Sequence, residues 1–185
     1  MRKLLPCVIL FAASLIPASS QEVVHALTGT VSAINSAGKT LTVFQDNGST
    51  GVFAASSGGA RYIFDKKLAQ LTTQPAAFTG QGDYAIIFYY GVIDHPTVVA
   101  VRALGKGPFE SSEGTLEGFN GRDHSVSIAD STGAVKTFKL TVDTVAEGNL
   151  GAVEAAKLQA RKGDHVRIVS QNVDGSPTAL FIKDI

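Results

Sequence analysis

Apolar and polar residues alternate along most of the chain with a period of two, in short runs closed by Gly, Asn, Asp or Ser. Residues 40–44 (TLTVF), 84–90 (YAIIFYY), 98–104 (VVAVRAL), 124–129 (HSVSIA), 135–140 (VKTFKL), 165–169 (HVRIV) and 178–182 (TALFI) are rich in β-branched and aromatic side chains and predict strands. Residues 46–49 (DNGS) and 130–133 (DSTG) lie between such runs and predict tight hairpins. Residues 150–161 (LGAVEAAKLQAR) depart from the alternation. They place Leu150, Val153 and Leu158 roughly on one side among good helix formers and predict a short helix. The region 61–79, more mixed and carrying Pro75, predicts a loop or a single turn.

The pattern occurs twice. Gly29-Thr30-Val31 matches Gly114-Thr115-Leu116, Leu41 matches Val126, Val43 matches Ile128 and Phe53 matches Phe138, all at an offset of 85. After a change of spacing, Gly82-Asp83 matches Gly163-Asp164, Pro96-Thr97 matches Pro177-Thr178, and Val99 and Val101 match Leu180 and Ile182, at an offset of 81. Each copy is long enough to fold as a small unit. Five or so short strands with glycines at their ends close most readily into a small barrel, since closure removes exposed edges. The expected fold is therefore all-β, two tandem small barrels resembling the oligonucleotide/oligosaccharide-binding (OB) type, with a short helix in the second. A small sandwich, or one fused sheet shared by both copies, is the alternative. The expected division is 1–20, 21–104 for the first unit, a Gly/Pro/Ser-rich joint at 105–113 (GKGPFESSE), and 114–185 for the second.

The first twenty residues read as an export signal. Arg2 and Lys3 precede an uncharged apolar run at 4–17 that is too short, and too interrupted by Pro6 and Pro17, to be a permanent membrane anchor. Ala18, Ser19 and Ser20 then suit cleavage before Gln21, and Cys7 lies inside the apolar run instead of at a lipidation position. The expected location is periplasmic or extracellular. Composition sharpens this picture. The 16 basic and 16 acidic residues balance, but loss of Arg2 and Lys3 leaves the mature chain at −2, which disfavours a nucleic-acid partner. The single Cys leaves with the signal, so no disulfide, thiol nucleophile or thiolate ligand is expected.

The order G-T-V-x-x-I, T-L-T-V, a Gly hairpin, a Phe strand, a G-D turn and a closing apolar strand resembles a bacterial family of exported proteins of unknown function. That family has repeated small β-domains of the pattern G-x-V…L-x-V…G-D-x-V-x-V…A-x-x-I. The resemblance covers residues 27–104 and 112–185. It is closer in the second copy, where Gly114, Val126, Ile128, Gly163, Asp164, Val166, Ile168, Ala179 and Ile182 stand in place, and the first copy departs from it after Phe53. The resemblance implies a fold and a compartment and assigns no activity.

Candidate chemistry is sparse. His25, His95, His124 and His165 show no metal-ligand spacing, so no metal or cofactor is expected. His124 and His165 each follow an Asp, and a composite site from the two is weighed against solvated turns, which the composition favours. Asp83 and Asp164 recur after Gly in both copies, which points to a structural turn in which the carboxylate accepts from nearby backbone N–H groups. A paired-carboxylate hydrolase at the interface is the weaker reading. No G-x-S-x-G is present, Ser56-Ser57-Gly58-Gly59 has no marked partner, Gly105-Lys106-Gly107 lacks a phosphate-loop spacing, and Asn47-Gly48-Ser49 reads as a hairpin before a glycosylation site. Tyr84, Phe88 and Tyr90 share one strand face, with Tyr89 opposite and Tyr62, Phe64 and Phe78 in the irregular region. One face must be core, and the Tyr84, Phe88, Tyr90 face is the candidate ligand-binding surface. The expectation is a non-catalytic binding or assembly module of the bacterial envelope, with an envelope protein or a glycan as partner. An oligosaccharide- or nucleic-acid-binding pair of barrels and an interface hydrolase are the alternatives.

Overall fold

The computed structural model describes residues 21–56, 61–91 and 95–185, so the export reading of residues 1–20 and most of Ser56–Gly59 lie outside the described residues. The chain is all-β. Seven strands come first: β1 (Glu22–Val23), β2 (His25–Asn35), β3 (Thr40–Gln45), β4 (Thr50–Ala55), β5 (Tyr62–Ile63), β6 (Tyr84–Tyr90) and β7 (Thr97–Gly105), with a helix α1 (Lys66–Gln70) after β5. Strands β2, β3, β4, β7 and β6 form a closed barrel in that circular order. All its neighbours are antiparallel except β4 and β7, which meet in parallel at Ala54↔Thr97 and Ala55↔Val98.

Seven more strands follow: β8 (Glu110–Asn120), β9 (Ser125–Ala129), β10 (Val135–Lys139), β11 (Val145–Gly148), β12 (Gly151–Glu154), β13 (His165–Val173) and β14 (Ser176–Asp184). They form one sheet ordered β10-β9-β8-β13-β14-β11-β12, which curls until β10 also meets β14 in parallel at Lys139↔Thr178. That bridge is the counterpart of Ala54↔Thr97: Lys139 follows Ala54, and Thr178 follows Thr97, by the two offsets of the sequence repeat.

The Gly-Asp turns occupy the same place in each half. β2 bulges between Val31 and Ala33, and β8 between Leu116 and Gly118. Opposite the bulge, Gly82 N donates to Val31 O and Val31 N to Asp83 O (2.8 and 2.9 Å), while Gly163 N donates to Leu116 O and Leu116 N to Asp164 O (2.9 and 2.8 Å). Both glycines stand at positive φ (+85° and +100°), which L side chains adopt at a cost. Gly29 and Gly114 are required for space: a Cβ there would lie 2.3 Å from Phe44 O and 2.4 Å from Ala129 O.

Three expectations need correction. The helix predicted over 150–161 is strand β12 followed by a single 3-10 turn, Ala155–Lys157. The α-helix lies instead in the first half, where a loop or turn was expected. Cross-strand pairing of β12 with β11 (Val145↔Glu154, Gly148↔Gly151) overrides the helix propensity of the Ala-rich run. In the first half, Asp65 caps α1 by accepting from Lys67 N and Leu68 N, and Leu68 is buried. The joint at 105–113 is also shorter than expected, since β8 begins at Glu110 and pairs Glu110 with Ser170 on β13.

Among the described residues, three apolar clusters organise the fold. One fills the first barrel around Val31, Leu41, Val43, Phe53, Ala85, Ile87 and Val101. Another fills the second half around Leu116, Val126, Ile128, Phe138, Ile168 and Ile182. The third lies between the halves and joins Val24, Ala26, Ile86, Phe88 and Ala100 of the first to Val145, Val169 and Phe181 of the second, with Leu68 of α1. β6 is therefore buried on both faces, Ala85 and Ile87 inward and Ile86 and Phe88 toward the other half, which is why YAIIFYY reads as an almost unbroken apolar run.

Candidate functional site

The aromatic face singled out in the sequence belongs to the cluster between the halves. Phe88 is fully buried against Phe64 (ring centroids 5.0 Å apart), so it offers no ring to a ligand. Tyr84 stacks on Phe109 at 4.9 Å, and its hydroxyl donates to Asp46, whose Oδ2 also accepts from Thr28. Burial, followed by the Asp46 carboxylate, holds the Tyr84 hydroxyl well above the usual phenol range, so it acts as a fixed donor. Tyr90 is half-buried and stacks on Tyr62 at 5.7 Å. The centre of β6, Ala85–Phe88, is buried on both faces, so of the expected surface Phe88 is core while Tyr84 and Tyr90 at the strand ends are partly buried.

Asp83 and Asp164 lie in their turns. Asp164 Oδ2 accepts from Arg161 N (2.6 Å), three residues back in the chain instead of two residues on. His124 stands at φ +45° in the β8–β9 turn and His165 at the start of β13; both are exposed, on separate elements of the second half. No group of three or more potential metal ligands exists among the described residues.

The most elaborate polar site was not singled out in the sequence. Glu147 of β11 is only 6% exposed. Its Oε1 lies 2.7 Å from His25 Nδ1 and its Oε2 accepts from Ala26 N at 2.8 Å, both on β2 of the other half. When Glu147 is ionised it can only accept, so this contact then requires an N–H at His25 Nδ1. Burial raises the Glu147 carboxyl above its ordinary value, and the His25 and Ala26 bonds oppose that rise. The His25 ring lies 5.9 Å from Tyr89, whose hydroxyl is pushed up by burial and by the Glu147 charge. The available signal was a single acidic residue inside Val145-Ala146-Glu147-Gly148, an apolar strand with no solvated face to hold it.

A second polar link joins α1 to the segment after β11. Lys157 Nζ lies 2.7 Å from Asp65 and 2.6 Å from Glu154, and Lys67 Nζ lies 2.9 Å from Glu154. Lys157, above all, holds the Asp65 and Glu154 carboxyls below their ordinary range.

Two clefts stand out by volume. One, of about 480 Å³, lies beside the β11–β12 hairpin and is lined by Lys157, Arg161, Asp164 and Asp184. Lys157 there is committed to Asp65 and Glu154, and Asp164 to the Arg161 backbone. The other, of about 430 Å³, runs between the β3–β4 hairpin and the end of β14, with Gln45, Asn47, Ser49, Thr50, Tyr89 and Lys183 among its walls. No helix among the described residues is long and apolar enough to cross a membrane. Compared with known proteins, the chain matches no protein-family model and no curated protein.

Proposed function

We propose that the protein is a non-catalytic binding or assembly module, exported to the bacterial envelope, in which a duplicated OB-like unit forms one rigid platform. The observation that carries this reading is the third apolar cluster, which locks the two halves together and is bordered by polar side chains paired with one another across the boundary. His25, Glu147, Asp65, Lys67, Glu154 and Lys157 are spent on holding elements in place, which is a structural use of titratable groups. The OB-like reading is supported by the circuit β2-β3-β4-β7-β6 in the first half and, apart from the β11–β12 hairpin, by β8-β9-β10-β14-β13 in the second, with β4/β7 and β10/β14 the parallel pairs. The resemblance to exported repeat proteins of unknown function belongs to the same proposal, as does periplasmic or extracellular location, supported by the charged start and apolar run of residues 1–17.

The test is to express the full chain in an exporting host, sequence the N-terminus, and screen the processed protein by thermal shift against glycans and oligonucleotides. Chromogenic ester, phosphate and glycoside substrates are assayed in parallel. The expected result is an N-terminus at or near Gln21 and a ligand that raises the melting temperature without turnover. Turnover of any substrate class would contradict the proposal.

A further inference from the structure

We propose that the cleft between the β3–β4 hairpin and β14 binds an acidic oligosaccharide, with one of its carboxylates against Lys183. The inference rests on the binding-module reading and names its site and ligand class.

The cleft lies at the junction of the two halves, and its volume falls within the range of about 300–1,000 Å³ usual for ligand sites. Its chemistry is selective. Among the described residues no Asp or Glu lines it, and Lys183 is the one charged residue in its walls. Lys183 faces Glu147 in the parallel β11–β14 register and feels its charge, but both Glu147 oxygens are taken by His25 Nδ1 and Ala26 N. Among the described residues the Lys183 ammonium makes no ion pair or hydrogen bond, so it is available to an anion. The neighbouring charges are committed: Asp46 accepts from Thr28 and Tyr84, and Arg167 pairs with Glu113 at 2.6 Å.

The remaining walls suit a hydroxyl-rich chain. Gln45 presents an amide, Asn47 an amide N–H₂ and Thr50 a hydroxyl, while the Ser49 hydroxyl, which donates to Asn47 Oδ1 at 2.7 Å, still accepts, as sugar hydroxyls require. Tyr89 offers ring surface and a phenol. Its ring is braced edge-on by Phe53 (5.6 Å) and flanked by His25, which fixes its orientation before any ligand arrives. One ammonium with no guanidinium fork fits a carboxylate spaced along a neutral polyol better than the dense phosphates of a nucleic acid, which need several cations.

The test is a nuclear magnetic resonance titration of the isotope-labelled, processed protein at low salt with three probes: a uronic-acid tetrasaccharide, the same tetrasaccharide methyl-esterified, and a short single-stranded oligonucleotide. The acidic sugar is expected to shift the amides of residues 45–53, Tyr89 and Lys183, and the neutral ester to bind at least about fivefold more weakly. Lys183→Gln is expected to weaken the acidic sugar by about five- to tenfold while the protein stays folded with at most a small fall in melting temperature, and Lys183→Glu to abolish binding. Absence of shifts with the acidic sugar, shifts confined to another surface, tightest binding of the oligonucleotide, or an undiminished affinity in Lys183→Gln would overturn the assignment. The outcomes separate the two readings. A sugar bound elsewhere without turnover leaves the binding module standing and removes the cleft, whereas shifts in the cleft accompanied by chain cleavage keep the cleft and remove the non-catalytic reading.

Discussion

Glu147→Ala tests how the two halves are joined. Truncation removes the acceptor of two hydrogen bonds, leaving the Ala26 N–H buried without a partner and the His25 Nδ1–H facing a void. Loss of a buried charged acceptor costs about 3–5 kcal/mol when its partner is stranded. Here the upper end is not reached, for two reasons. The Glu147 carboxylate is itself destabilised by burial, and the partly exposed His25 ring can turn to water. The expected loss is about 2–4 kcal/mol, most of it from the stranded Ala26 N–H and the cavity. For a chain of this size that is a fall in melting temperature of roughly 4–16 °C. The assay is thermal and urea unfolding followed by far-ultraviolet circular dichroism, alongside Glu147→Gln, which keeps the shape and one acceptor and is expected to lose about half as much. A Glu147→Ala protein within about 0.5 kcal/mol of the unaltered chain, the range of an ordinary surface substitution, would refute the claim that this contact fastens one half to the other.

Other consequences are equally direct. Phe88→Ala empties the centre of the shared cluster and is expected to cost about 3–5 kcal/mol, read as a lower urea midpoint; an unchanged midpoint would mean that the halves do not pack as described. Gly114→Ala places a methyl 2.4 Å from Ala129 O and is expected to destabilise by about 1–3 kcal/mol, while Gly121→Ala, with open space around it, is expected to stay within about 0.5 kcal/mol by the same melt. The pH dependence has two parts of opposite sign. Asp65 and Glu154, depressed by Lys157, contribute stability that is present above their ordinary values of 3.8 and 4.5 and lost as pH falls below them. Glu147, raised by burial, contributes stability that is full below 4.5 and declines as pH rises through its folded-state value. Melting temperatures from pH 3 to 8 should therefore fall on the acid side in the unaltered chain and fall less in Lys157→Ala, while Glu147→Gln should flatten the decline above pH 4.5.

The strands were legible because their pattern is local. Tyr84–Tyr90 is apolar on both sides, and the period-two runs elsewhere matched observed strands to within a few residues at their ends. The hairpins were legible for the same reason: Asn47 and Asp130 each accept from backbone groups two residues on, an interaction contained in the turn itself. The helix was misplaced because Gly151–Glu154 takes its conformation from β11, a partner that propensity cannot see.

The sequence by itself determined an all-β chain, the hairpin turns and the apolar character of β6, since each depends on neighbours a few residues apart. Only the tertiary structure decided what covers β6: Ala85–Phe88 are buried on both faces, and only Tyr84, Tyr89 and Tyr90 at its ends keep some exposure. It alone brought Glu147 of the second half to His25 of the first, left Lys183 without an ion pair among the described residues, and set Tyr89 at a cleft instead of Tyr84, Phe88 or Tyr90. The reason is physical: burial on one face of a strand is written in its own period, but what covers the opposite face depends on contacts between segments that no periodicity encodes.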